Sequence, residues 1–303
     1  MAQQKHTPTL ASLEEAVTTL FCLIDDAYPL LNPRWRSHEP LKKLSDSEVI
    51  TLALLQQLRG VESCRSFLRD AQRFFSHLFP SVAGLHPSSL HRRIRRLRGY
   101  LEPLRRAVVG DLVGDPETLV VDSTLLSVLH PRQVGQSAGF EGASWAKWGS
   151  FAVHGVKLHV LCATNRVPVS FELTPANVAD VLLVEELLGA AGLGNETVRR
   201  LFGDLAYRSG ALAEALTKGG VLLQTERADR RPARRQHVEV CFAILKGVFG
   251  MGVTLAKTLV GLARRIATKV VAYTLTVATS TGCLGGRRGA SRSFGPDILA
   301  TLI

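Results

Sequence analysis

The sequence predicts an α/β protein in which a mixed five-stranded sheet flanked by helices follows an all-helical N-terminal domain. Two observations carry that prediction. From about residue 115, apolar runs of strand length alternate with helical-period segments, and three strands come before the first helix, as an antiparallel meander opening a mixed sheet requires. Before residue 113, apolar residues recur instead at helical spacing between capping and stop signals.

In the N-terminal part, Ser45-Asp46-Ser47-Glu48 forms a capping-box pattern ahead of the apolar run Val49 to Leu58, and Gly60 is a plausible stop. A second helix runs through Phe67, Leu68, Ala71, Phe75 and Leu78, ended by Pro80. A third begins near Ser88 or Ser89 with Leu90, Ile94 and Leu97 on one face, and its other faces hold His91, Arg92, Arg93, Arg95, Arg96 and Arg98. An arginine-dense helix can enter a DNA groove while its cations contact phosphates, which makes Arg92, Arg93, Arg95 and Arg96 candidate DNA-binding residues. The alternative is a solvated basic face on a packed helix.

Strands are expected at Leu119 to Leu129, Phe151 to Ala163, Val167 to Leu173, Val198 to Gly203 and Val221 to Thr225, with helices at Val178 to Ala191 and Ser209 to Lys218. Between the first two strands, Pro131 to Ser150 is rich in Gly and Ser and reads as a loop. Its Trp145, Lys147 and Trp148 could stack on an exposed base, but anchoring the loop to the core is the preferred reading. Lys157 and His159 lie two apart and share a sheet face; Lys157 is a candidate for neutralising a phosphate oxygen, while His159 could position water or DNA, with a structural role as its alternative. Asn177 reads as a helix N-cap. Two helices close the pattern, one through Gly250 and one from about Thr254 to Ser280. In the latter, Lys257, Arg264, Arg265 and Lys269 exclude a membrane span, and its apolar face is expected to pack on the sheet. The expected division is a helical DNA-binding domain at 1–113, a catalytic domain at 114–281 and a flexible tail at 282–303.

With 37 Lys plus Arg against 26 Asp plus Glu, the net charge is +11, a balance that attracts phosphate. Five scattered cysteines, Cys22, Cys64, Cys162, Cys241 and Cys283, include no CxxC pair and support neither a disulfide framework nor a zinc ribbon. The first residues lead to no signal-peptide apolar core, so a soluble, cytoplasmic, nucleoid-associated protein is expected.

Three carboxylates stand out. Asp122 ends the apolar run Leu119-Val120-Val121, Asp204 follows Leu201-Phe202-Gly203, and Glu239 lies in a helical segment that puts Arg235, Glu239, Phe242 and Lys246 on one face. Carboxylates brought together from separate elements suit hard divalent cations, two of which, about 4 Å apart, can clamp the attacking and leaving oxygens of a phosphodiester displacement.

The ordered motifs VVDST, HGVKLH, TPANVAD, GDLAY and RRxxxE, across roughly residues 115 to 281, resemble the DDE transposases of bacterial insertion sequences. That family shares an RNase H-like core with retroviral integrases. The resemblance implies that Asp122, Asp204 and Glu239 are catalytic and bind metal, two Mg²⁺ with Mn²⁺ as substitute. It sets Arg235 and Lys246 on the basic positions of the Tyr-Arg-Glu-Lys signature, whose tyrosine falls on Pro232 and does not match. It also implies double-stranded DNA partners, transposon terminal inverted repeats and target, and at least a homodimer in the synaptic complex. An RNase H-like host nuclease or resolvase, or a catalytically inactive transposase-derived regulator, are the alternatives.

Overall fold

The computed structural model describes residues 10–32, 42–113, 116–130, 132, 134, 139–193, 197–225, 235–252 and 255–280. In chain order the elements are helices α1 (Leu10–Leu31), α2 (Asp46–Leu58), α3 (Cys64–Phe74), α4 (Pro87–Leu97) and α5 (Leu101–Val113), then strands β1 (Thr118–Leu129), β2 (Ser144–Trp148), β3 (Phe151–Ala163) and β4 (Pro168–Pro175). There follow α6 (Val184–Ala191), β5 (Arg200–Gly203), α7 (Gly210–Lys218), β6 (Leu222–Thr225), α8 (Gln236–Gly247) and α9 (Leu259–Ser280). The described residues form two compact units, those up to Leu112 together with those from Ala267 on, and those from Val113 to Ile266.

In the first unit the capping box forms as its sequence requires. Ser45 Oγ accepts from the Glu48 N–H at 2.9 Å, and the Glu48 carboxylate accepts from the Ser45 N–H. Asp46, in the first turn of α2, is a hub: Tyr28 Oη donates to it at 2.9 Å, Lys42 Nζ at 2.6 Å and Arg93 Nη2 at 2.6 Å. Those bonds tie α1, α2 and α4 together around an apolar interior that includes Ile24, Leu52, Phe67 and Leu90. Burial alone raises the pKa of Asp46, yet the bonds from Lys42, Arg93 and Tyr28 outweigh it and hold the carboxyl below its usual range.

The expectation that the last helix packs on the sheet is corrected beyond Ile266. Its remaining turns belong to the first unit, where the almost wholly buried Lys269 pairs with Glu62. From Val270 to Ala278 every residue is buried, so this stretch is a core helix rather than an amphipathic cover. Thr274 and Thr276 enter the interior because their hydroxyls donate to the carbonyls of Val270 and Ala272. Among the described residues no helix is long and apolar enough to cross a membrane.

The second unit is built on one mixed sheet. β1, β3 and β4 form the expected antiparallel meander, and β5 and β6 run parallel to β1 on its other side. This is the RNase H-like strand arrangement, with one correction: among the described residues the sheet has six strands. The additional strand, β2, pairs with the first residues of β3, beside the end of β4 on the same edge. It came from the segment expected to be a loop. The Gly149-Ser150 turn, with Gly149 at φ +60°, supplies the positive φ that a tight hairpin needs. Trp145 is 45% exposed on that hairpin, its ring edge-on to His154 at 5.1 Å, so it is not a buried loop anchor. Asn177 likewise caps no helix: it exchanges bonds with Ser144 Oγ, tying β2 to the chain after β4, while a 3-10 turn begins only at Asp180.

Candidate functional site

The site starts from a mismatch in strand length. β1 runs to Leu129, but its ladder with β5 stops at Val120↔Phe202, because the chain leaves β5 after Gly203. Carrying the register two residues further sets Asp204 alongside Asp122, on the same sheet face. Asp204 caps the 3-10 turn Leu205–Tyr207, accepting from the Ala206 N–H at 2.8 Å. Tyr207 folds back over Gly203, where a Cβ would come within 2.8 Å of its ring; glycine is required there.

Asp122 is mostly buried, and burial pushes its pKa up to about 6. The Ser123 N–H (2.8 Å) and the Arg235 guanidinium (3.6 Å) oppose the shift, and the charges of Asp204 and Asp180 add to it. The Tyr207 hydroxyl is buried beside Ser123 without a hydrogen bond of normal geometry. Burial, then Asp180, Asp122 and Asp204, hold its pKa far above the usual tyrosine range.

Helix α8 supplies the cations. Arg235, at its N-cap, reaches Asp122, and Lys246 near its other end lies close enough for the charge of Asp122 to act on it while burial lowers its pKa. Glu239 lies between them on the same helix face, but its side chain is exposed. Among the described residues no three His, Cys, Asp or Glu side chains gather closely enough to hold a metal ion. The structure thus joins Asp122, Asp204, Arg235 and Lys246, and leaves Glu239 outside the aspartate pair. Pro232 lies outside the described residues.

Lys157 and His159 stand on the opposite face of β3 from the partner of Asp122, Val160. Lys157 donates to the Val178 carbonyl at 2.8 Å and pairs with Asp180 at 2.9 Å, so its ammonium is already engaged inside the protein. His159 is wholly buried against Thr174 Oγ1, and desolvation lowers its pKa to about 4, leaving it neutral. Asp180, Ser123 and Tyr207 join the surroundings of the site; each lies in one of the ordered motifs, TPANVAD, VVDST and GDLAY, but none is an expected site residue. The signal for Ser123 lies in strand parity, which puts it opposite His159.

On α4, Arg92, Arg95 and Arg96 are exposed, whereas Arg93 turns inward to the Leu44 carbonyl and Asp46, both at 2.6 Å. The four arginines are therefore two kinds of residue.

Two carboxylates, Asp122 within β1 and Asp204 just past the end of β5, one of them buried with its charge only partly offset, fit a hard divalent cation between them. An open cleft lined by Leu126, His130, Phe140, Met251 and Leu262 lies toward the far end of β1, and none of these carboxylates borders it.

The transposase DDE domain family matches residues 114–275, more than half of the chain, and the chain belongs to that family. No curated protein matches it. Among solved structures it overlaps a piggyBac transposase synaptic complex with hairpin DNA at 12% identity and TM-score 0.41, covering 95% of this chain and 76% of that one. A Mos1 transposase paired-end complex with the left transposon end overlaps at 13% identity and TM-score 0.27, covering 67% of this chain and 66% of that one.

Proposed function

With DDE transposase family membership as the premise, we propose that this chain is an insertion-sequence transposase that cleaves DNA at transposon ends and joins the freed ends to target DNA. The observation that carries the reading is the pairing of Asp122 with Asp204 at the point where β5 leaves β1, faced by Arg235 and Lys246 from α8. Asp122, Asp204 and Glu239 would hold two divalent ions, Mg²⁺ or Mn²⁺, with Glu239 moving in from its exposed position on α8. When bound, the ions supply an activated oxygen nucleophile and offset charge on the phosphate.

The side chains do the rest. Asp122 is set by the Ser123 N–H and screened by Arg235, so its oxygens point in a defined direction before DNA arrives. Arg235 and Lys246 neutralise non-bridging phosphate oxygens. Water breaks the phosphodiester at the 3′ oxygen and leaves a 3′-OH, and that hydroxyl then attacks a target phosphate, exchanging one phosphodiester for another without a protein nucleophile. Arg92, Arg95 and Arg96 contact DNA phosphates from α4. Lys157, occupied by Asp180, takes no phosphate in this arrangement. Two DNA ends held together imply a dimer or larger assembly.

The exposed position of Glu239 is the observation that favours the alternative of an inactive DNA-binding descendant. One assay decides between them: incubation of the protein with duplexes carrying the terminal repeats in Mg²⁺ or Mn²⁺. Cleavage with strand joining supports the transposase, cleavage without joining the host nuclease, and tight binding without cleavage the regulator.

A further inference from the structure

Asp180 opens the 3-10 turn after β4 and is held by three groups that the proposed chemistry leaves unused. Ser123 Oγ donates to Asp180 Oδ1 at 2.9 Å, Lys157 Nζ lies 2.9 Å from the same oxygen, and His159 Nδ1 lies at 3.6 Å. Lys157 and His159 are themselves fixed, by the Val178 carbonyl and by Thr174 Oγ1, each at 2.8 Å. This face of the sheet is therefore a rigid clamp on one carboxylate.

Only one of the three partners leads to the other face. Ser123 follows Asp122 in β1, and its backbone N–H donates to Asp122 Oδ1 at 2.8 Å. At that point the β5 ladder, which ends at Val120, no longer steadies this edge of β1. We propose that Asp180 is a positioning residue: by gripping the Ser123 hydroxyl from one face, it sets the N–H that aims the Asp122 carboxylate on the other. The proposal rests on the metal-dependent reading above. Its position on the far face, with Oδ1 shared between Ser123 and Lys157, separates this role from that of a direct metal ligand.

The test compares the full-length parent with Asp180→Ala, Asp180→Asn, Ser123→Ala and the Ser123→Ala/Asp180→Ala pair. Two quantities are read: cleavage of a terminal-repeat duplex, resolved into kcat and KM, and Mn²⁺ affinity of the DNA-free protein by electron paramagnetic resonance. Asp180→Ala is expected to lower kcat and weaken Mn²⁺ binding by about tenfold or more with KM for DNA unchanged, the size seen when an outer partner of a metal ligand is lost. Asp180→Asn recovers most of both, because its amide oxygen still accepts from Ser123. The double variant is no worse than Asp180→Ala alone, because both substitutions remove the same bond.

Effects of Ser123→Ala and Asp180→Ala that multiply independently overturn the proposal, as does a loss confined to melting temperature. If Asp180→Ala does not fold, Ser123→Ala decides alone: parent-like kcat and Mn²⁺ affinity overturn the proposal, and their loss sustains it. A parent protein that neither binds Mn²⁺ nor cuts DNA overturns the metal-dependent reading and this proposal with it. An active parent with an indifferent Asp180→Ala overturns the positioning role only.

Discussion

Asp46 and Asp122 are both aspartates removed from solvent and faced by an arginine, and they behave in opposite ways. Asp46 receives Arg93 and Lys42 at 2.6 Å and the Tyr28 hydroxyl at 2.9 Å, and its pKa is lowered. Asp122 receives one backbone N–H and an arginine at 3.6 Å, and burial, with two more aspartates nearby, pushes its pKa up to about 6. A structural carboxylate has its charge satisfied by its own fold. The Asp122 site retains negative charge that the fold leaves partly unanswered, and a bound cation is the physical answer to that deficit.

The largest effect expected from this contrast is on chemistry. Asp122→Asn keeps the shape and removes the charge, so Mg²⁺-dependent cleavage of terminal DNA should fall to the level of an enzyme-free control, while binding of the same DNA without metal persists. Cleavage at the parent rate would end the claim that Asp122 is a ligand.

Stability should move with opposite sign at the two sites. Asp46→Ala removes the buried acceptor shared by Arg93, Lys42 and the Tyr28 hydroxyl and should cost about 3 kcal/mol in urea unfolding of the helical unit. Asp122→Asn removes a buried, under-compensated charge and should leave the metal-free protein as stable as the parent or more so at neutral pH. Equal destabilisation by the two substitutions would erase the distinction.

Helix α4 offers the next comparison, inside one element. The triple variant of Arg92, Arg95 and Arg96 to Ala should weaken binding to terminal DNA and flatten the slope of log K against log salt by up to about 2.7, at about 0.9 for each phosphate no longer neutralised. Arg93→Ala should lower the melting temperature instead, because it removes the two bonds by which Arg93 ties α4 to Asp46 and the Leu44 carbonyl. An unchanged salt slope in the triple variant would show that the exposed arginines are only solvated.

The smallest effect is the pH dependence of Asp46. Its folded pKa lies below the unfolded value of about 3.9, so its contribution is present above that value and is lost as pH falls through the folded one. The stability difference between parent and Asp46→Asn should therefore be constant above about pH 5 and shrink only in more acidic solution. A gap that instead grows with acidity would reverse the sign assigned to the site.

Much of the sheet is legible in the sequence because strand signals are local. Phe151–Ala163 is expected at both of its observed ends, and β1, β5 and β6 are displaced by no more than two residues at either end. The strand β2 is hidden by the Gly and Ser around it, since a short hairpin at a sheet edge draws its stability from β3 rather than from its own composition. Helix α9 is legible as a helix but not as a core element of the first unit, because its lysine and threonines look exposed until Glu62 and the helix carbonyls satisfy them.

The sequence by itself determined the order of the strands other than β2, the basic charge and the family, because periodicity, composition and motif order are properties of the chain alone. Only the tertiary structure decided which like residues do unlike work. Arg93 faces Asp46 while Arg92 faces solvent, Lys157 is held by Asp180 while Lys246 lies near Asp122, and Glu239 stands outside the aspartate pair. The physical reason is that the state of a charged side chain depends on its burial and on partners tens of residues away in sequence, and only the folded register of β1, β3 and β5 and the packing of their neighbours create those partners.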